Sequence, residues 1–161
     1  MGRKILLGTD GSEPARDAAR LAVQLAGSLG LGLTALRVVD VDRYTYDYAE
    51  ESRSDIAAEL ENHAKRVLGE VKELADEAGL DTTLEIRQGD SSREIIRFAQ
   101  DDPDIVMIVL GATGRRRLGR QLIGSTAERV VRQVGRDLPC AVMIAPSAFT
   151  NESARLEIKG G

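Results

Sequence analysis

Short apolar runs alternate along this chain with longer stretches in which apolar residues return every three or four positions. The runs Lys4 to Thr9, Leu33 to Val39, Ile105 to Leu110 and Ala141 to Ala145 read as strands, and Asp81 to Arg87 alternates as a fifth. Continuous apolar runs suit strands of a parallel sheet covered on both faces. Between them, Ala15, Ala18, Ala22, Leu25, Ala26 and Leu29 mark one buried helical face, with Pro14 in the first turn and Gly30 at the end. Ile56, Leu60, Ala64, Val67, Val71, Leu74 and Ala78 mark a longer helix. Ser91-Ser92-Arg93-Glu94 has capping-box form and opens a short helix through Phe98, while Ala127, Val130, Val131 and Val134 mark the last one. Residues 40–54, with Tyr44, Tyr46 and Tyr48, read as a long polar connection.

Strands that alternate with helices predict βαβ units. Five strands and four helices give a single-domain, three-layer α/β sandwich of Rossmann-like type, five-stranded and parallel. In such sheets ligands sit beyond the carboxyl ends of the strands, where strand order reverses. Two of these ends carry turn and glycine chemistry: Thr9-Asp10-Gly11-Ser12 after the first strand, and Gly111 to Gly114 after the fourth. In the order 3-2-1-4-5 one crevice collects both.

Composition narrows the classes. The chain has 161 residues, 42% hydrophobic, enough for one domain with its own core. The net charge is −4, so no global attraction to nucleic acid or an anionic membrane is expected. One cysteine, Cys140, allows no intramolecular disulfide and no cysteine cluster for a metal, which suits a reducing compartment such as the cytoplasm. The first apolar stretch is too short for a membrane span.

Gly111, Gly114 and Gly124-Ser125 stand in the spacing G-x2-G-x9-G-[ST], between a strand and a helix. Glycine lets a ligand approach backbone N–H groups, and a helix start behind it offers further donors, so a phosphate is the expected guest. Ser125-Thr126-Ala127-Glu128 again has capping-box form. The competing reading is a plain turn and cap. Arg115, Arg116, Arg117 and Arg120 in the spacer reverse the chain's sign locally and fit either a cover over phosphates or a solvated loop.

With these motifs the chain resembles the universal stress protein family, in its ATP-binding branch, over roughly residues 3–146. The resemblance is carried by Lys4-Ile5-Leu6-Leu7-Gly8-Thr9-Asp10-Gly11-Ser12, by the Gly89 turn, and by Gly111 to Ser125 with Ala127-Glu128-Arg129-Val130 behind it. It implies ATP as ligand, with Mg²⁺, in a site that includes Gly8. Asp10 would meet the ribose, Val38 the adenine through its main chain, and Thr9 and Leu110 would line the nucleoside end. Gly111, Thr113, Gly114, Gly124, Ser125 and Thr126 would hold ribose and phosphates. The resemblance also implies the 3-2-1-4-5 sheet and a homodimer along the strand Ala141 to Ala145. Residues 1–146 would form the nucleotide-binding domain, and 147–161 a tail that is either one more strand or disordered.

The function this implies is a nucleotide-dependent regulatory switch in a stress response, with at most slow ATP hydrolysis. The Walker A spacing is absent. Two other readings stay open: an adenylyl-transferring or pyrophosphate-releasing enzyme of related architecture, and a dimeric scaffold that does not use ATP. Asp10 also suits a turn, or a Mg²⁺ ligand beside phosphates. His63 lies off the apolar stripe of its helix and reads as solvated, and Cys140 reads as a packing residue.

Overall fold

A computed structural model describes residues 2–112 and 123–146 of the chain. Its elements run β1 (Lys4–Gly8), α1 (Glu13–Leu29), β2 (Gly32–Val39), α2 (Val41–Thr45), α3 (Glu50–Glu77), β3 (Thr82–Gln88), α4 (Ser91–Asp101), β4 (Ile105–Gly111), α5 (Ser125–Val131) and β5 (Ala141–Ala145). The strands form one parallel sheet of order β3-β2-β1-β4-β5. Strand order therefore reverses between β1 and β4, as the family resemblance implied.

Helices α1 and α3 pack on one face of the sheet, over Ile5, Leu7, Leu33, Ala35 and Val109. Helices α4 and α5 cover the other, over Leu6, Leu36, Val38, Ile108 and Leu110. Ile5, Leu6 and Leu7 of central β1 are wholly buried, each side chain contributing about 1.5–3 kcal/mol of apolar transfer. At the sheet edge β3 is only half-buried, and there the sequence alternates instead of running apolar.

Three local expectations need correction. The connection 40–54 is not a plain loop: it holds α2 and the first turn of α3. Asp40 caps α2 through an Arg43 N–H bond of 3.1 Å, and Arg53 Nε donates to the Thr45 carbonyl at 3.2 Å, tying α2 to α3. There are thus five helices among the described residues, against the four expected. Neither capping box forms as expected, because each helix is capped one residue earlier. Asp90 caps α4, accepting from Arg93 N–H at 3.0 Å and from the Ser92 hydroxyl at 2.7 Å. Gly124, which has no side chain to offer, is the cap of α5.

The long α3 is about 42 Å from end to end at 1.5 Å per residue. All its buried residues, from Ala64 to Ala75, lie in the C-terminal half. His63, at the end of the N-terminal half, is exposed, and Cys140 is buried, both as expected.

A candidate crevice at the carboxyl rim of the sheet

The end of β1 closes on itself. Thr9 is buried and its N–H extends the sheet to the Leu36 carbonyl at 3.0 Å. Its hydroxyl accepts from Gly11 N–H at 3.3 Å, and Asp10 Oδ1 accepts from Ser12 N–H at 2.9 Å. Ser12 in turn caps α1 by accepting from Ala15 N–H at 3.4 Å. Gly11 has φ +77°, and an added Cβ would stand 2.5 Å from Val67 Cγ2, so both conformation and packing require glycine. Asp10 is exposed at this rim, with one carboxylate oxygen engaged in the turn.

At the end of β4, Leu110 is buried, and a Cβ on Gly8 would lie 2.6 Å from its Cδ2. Gly111 faces α1: a Cβ there would stand 2.5 Å from the Pro14 carbonyl oxygen and 2.7 Å from the Pro14 carbonyl carbon. Glycine at 111 is accounted for by this main-chain approach before any ligand is considered. Ala112 N–H continues the ladder to the Ala145 carbonyl at 3.1 Å.

Gly124 is buried, with φ −57° and ψ 154°, a conformation open to other residues. The first backbone bond of α5 runs from Glu128 N–H to the Gly124 carbonyl at 2.8 Å. The N–H groups of Ser125, Thr126 and Ala127 precede that bond, and no side-chain cap serves them. Ser125 is exposed and Thr126 half-buried. Thr113, Gly114 and the arginines at 115, 116, 117 and 120 lie outside the described residues, as does 147–161.

The end of β2 supplies a residue that sequence reading passed over. Leu36 directs its carbonyl to β1 and Val39 directs its own to Gly89 beyond β3. By the two-residue period of a strand, the Val38 carbonyl points the same way as that of Leu36, past the end of β1 and over the crevice. Arg37 Nη1 donates to that carbonyl at 2.6 Å, while its Nε is buried with no acceptor. The available signal was a lone charge inside an apolar strand.

Two ion pairs brace the surroundings. Arg129 of α5 meets Asp90 at 3.3 Å. The Ser92 hydroxyl first, then the Arg93 N–H and the Arg129 charge, hold the Asp90 carboxyl below its ordinary range. Lys4 meets Asp102 at 2.7 Å and lowers that carboxyl in the same sense. On the α1/α3 side a groove of about 150 Å³ lies behind Thr9 and Gly11, floored by Val67 and Val71 and bridged by Arg16 and Glu70 at 3.1 Å. Among the described residues no three His, Cys, Asp or Glu side chains group to hold a metal ion. None of their helices is long and apolar enough to cross a membrane.

Fold and rim together define a doubly wound α/β domain whose strand order reverses between β1 and β4, the position at which such sheets take ligands. The model of the universal stress protein family matches residues 1–146, and the chain belongs to that family. A universal stress protein of Methanocaldococcus jannaschii is 35% identical over 130 residues, covering 81% of this chain and 76% of its own. The structure of the universal stress protein UspA from Lactobacillus plantarum superposes with a TM-score of 0.72 at 28% identity, covering 89% of this chain and 97% of that one. A universal stress protein from Archaeoglobus fulgidus, solved in complex with dAMP, gives 0.64 at 20% identity, covering 88% and 96%.

Proposed function

We propose that this universal stress protein binds an adenine nucleotide, with ATP as the working ligand, in the crevice between β1 and β4. The observation that carries the reading is the convergence at the point of strand reversal: Asp10 from β1, the Val38 carbonyl from β2 and Gly111 from β4 open on one rim. The A. fulgidus relative with dAMP supports an adenine nucleotide as the class of guest. In this reading the base lies along Val38, between Thr9 and Leu110, and Asp10 accepts from the ribose hydroxyls. The N–H groups of Ser125 and Thr126 meet phosphate oxygens, with Thr113 beside them and Gly114 and Gly124 keeping the backbone close, while Gly8 and Gly111 shape the rim through their packing. Mg²⁺ is bound through the phosphates, with Asp10 at the rim as a candidate protein carboxylate for it.

The unit responsible is residues 1–146, and its output is regulatory: occupancy biases conformation or partner choice through the difference in affinity between states. It works in the cytoplasm as a homodimer joined along β5. That strand is the sheet edge and carries half-buried Val142, Met143 and Ile144, which supports such a joint.

Titration calorimetry with ATP and Mg²⁺ tests the reading. Binding in the micromolar range, weakened at least about a hundredfold by Gly124→Val, is expected. No heat up to millimolar ATP, or equal affinity in Gly124→Val, overturns it. Sedimentation at micromolar protein tests the dimer, and a monomer there overturns that part alone.

A further inference from the structure

We infer that α2 and the first half of α3 form a docking surface for an arginine-rich segment of another protein. The inference stands apart from the nucleotide reading. Helix α3 runs antiparallel to the strands and hands the chain back to the sheet at β3. Its Val67 lies against Gly11, in the turn just beyond β1. Residues 50–63 therefore stand past the carboxyl rim, about 20 Å of helix at 1.5 Å per residue. None of them is buried, and Ile56, Ala57 and Leu60 reach only half-burial. Helix α2 is tied to this stretch, because Arg53 Nε donates to the carbonyl of buried Thr45 at 3.2 Å. With Thr45 turned inward, Tyr44, Tyr46 and Tyr48 around it are 55%, 85% and 58% exposed. All three tyrosines of the chain thus face solvent at one place, an aromatic patch that folding does not require.

The charges around that patch select its guest. Residues 40–63 carry eight carboxylates against two arginines, while the whole chain has a net charge of only −4. Glu51, Asp55 and Glu59 stand four residues apart in one exposed row of α3, and like charges at that spacing destabilise a helix. The helix dipole accounts for an acid in the first turn, but not for Asp55 or Glu59. No described residue pairs with these three carboxylates. Toward the packed half the same helix is built the other way: Glu61 meets Lys65, and Lys72 meets Asp76, across the same spacing. The projecting half thus holds uncompensated charge beside bare rings. A second copy of this face, a nucleic acid or an anionic membrane would each bring more negative charge. Guanidinium groups answer both features, since they pair with carboxylates and stack on tyrosine rings, which an ammonium does less well.

The test is fluorescence anisotropy of labelled nona-arginine and nona-lysine peptides on the full chain, without nucleotide, at about 50 mM salt. Nona-arginine binds in the micromolar range, about fivefold more tightly than nona-lysine. The double variant Asp55→Asn with Glu59→Gln weakens it about tenfold, and Tyr44→Ser with Tyr46→Ser removes the preference for arginine. Glu73→Gln with Glu77→Gln makes the same change of charge at the far end of α3 and leaves the affinity within about twofold. Equal weakening by the two charge variants reduces the binding to the general attraction of an acidic chain and overturns the inference, as does no binding up to about millimolar protein. An arginine preference that survives the tyrosine changes overturns the aromatic part. Asp55→Asn with Glu59→Gln unfolds at no lower denaturant concentration than the wild type, and a lower midpoint makes the acidic row structural and overturns its part in docking. Self-association of the peptide-free chain that this variant abolishes gives the surface to a second copy and overturns the foreign partner.

Discussion

The carboxyl ends of β1 and β4 look alike in sequence, each an apolar run that breaks into glycine and hydroxyl residues, yet they are built on opposite plans. After β1 the backbone donors are consumed locally: Thr9, Asp10 and Ser12 each accept an N–H from the turn or from the first turn of α1. After β4 the chain returns at Gly124 to a helix whose cap has no side chain, so the leading N–H groups of α5 receive none of that service. A helix start that is capped by its own hydroxyl is a structural joint, while one left bare can meet an external anion. The same residue types therefore mean different things at the two ends, and the difference lies in where the donors go.

The two plans separate most sharply at the glycines. Gly111→Val should be the most damaging change, since its Cβ would enter the Pro14 main chain at 2.5 Å and α1 would have to shift. A loss of about 3 kcal/mol in denaturant unfolding is expected. Gly124→Val, by contrast, should cost only about 1 kcal/mol of stability, because its φ of −57° suits other residues, while weakening nucleotide binding at least about a hundredfold. If the two cost the same stability, the contrast between a packing glycine and a ligand glycine fails.

Gly11→Ala should fall between them, at about 2 kcal/mol, from a φ of +77° together with the Val67 contact. Pairing it with Val67→Ala should cost less than the sum of the two single losses, if the steric part is real, and a double-mutant cycle measures it. Ser12→Ala removes the α1 cap and should cost about 1 kcal/mol in the same assay, without touching nucleotide affinity.

The smallest expected effect is a pH dependence. The carboxyls of Asp90 and Asp102 are lowered in the folded chain, so they bind protons less readily there than when unfolded. Their stabilisation is complete above about pH 5 and is lost as the pH falls through their folded values. Both pairs are partly solvated, so Lys4→Ala should remove about 1 kcal/mol or less at neutral pH and flatten part of the acid limb. An acid limb identical to wild type in Lys4→Ala would remove Asp102 from that account.

Much of the fold was legible because burial writes itself into composition. Ile5-Leu6-Leu7 and Ile108-Val109-Leu110 are buried, and the runs that carry them are apolar without interruption, which made them legible as strands of a covered parallel sheet. The alternation of 81–87 likewise pointed to a strand that proved to be the half-buried edge. Helix α2 left no such trace, since five residues cannot display a period and Thr45 is the one buried among them. The capping boxes misled by one residue because Asp90 competes with Ser91 for the same N–H groups, and the pattern S-x-x-E does not say which side chain wins. At the rim, Asp10 and Gly111 were legible as positions, but the reason for glycine at 111 was not, because Pro14 lies far away in sequence. Arg37 was missed for the same cause: its meaning depends on which way the Val38 carbonyl turns.

The chain carries a single sulfhydryl, and it is packed beneath α5 with Leu138 and Val130. Desolvation pushes the Cys140 thiol up, so at neutral pH it stays protonated and a poor nucleophile while that layer is shut. An alkylating dye should therefore mark this protein only at moments when the α5 side breathes, which gives the molecule a native clock for its own opening.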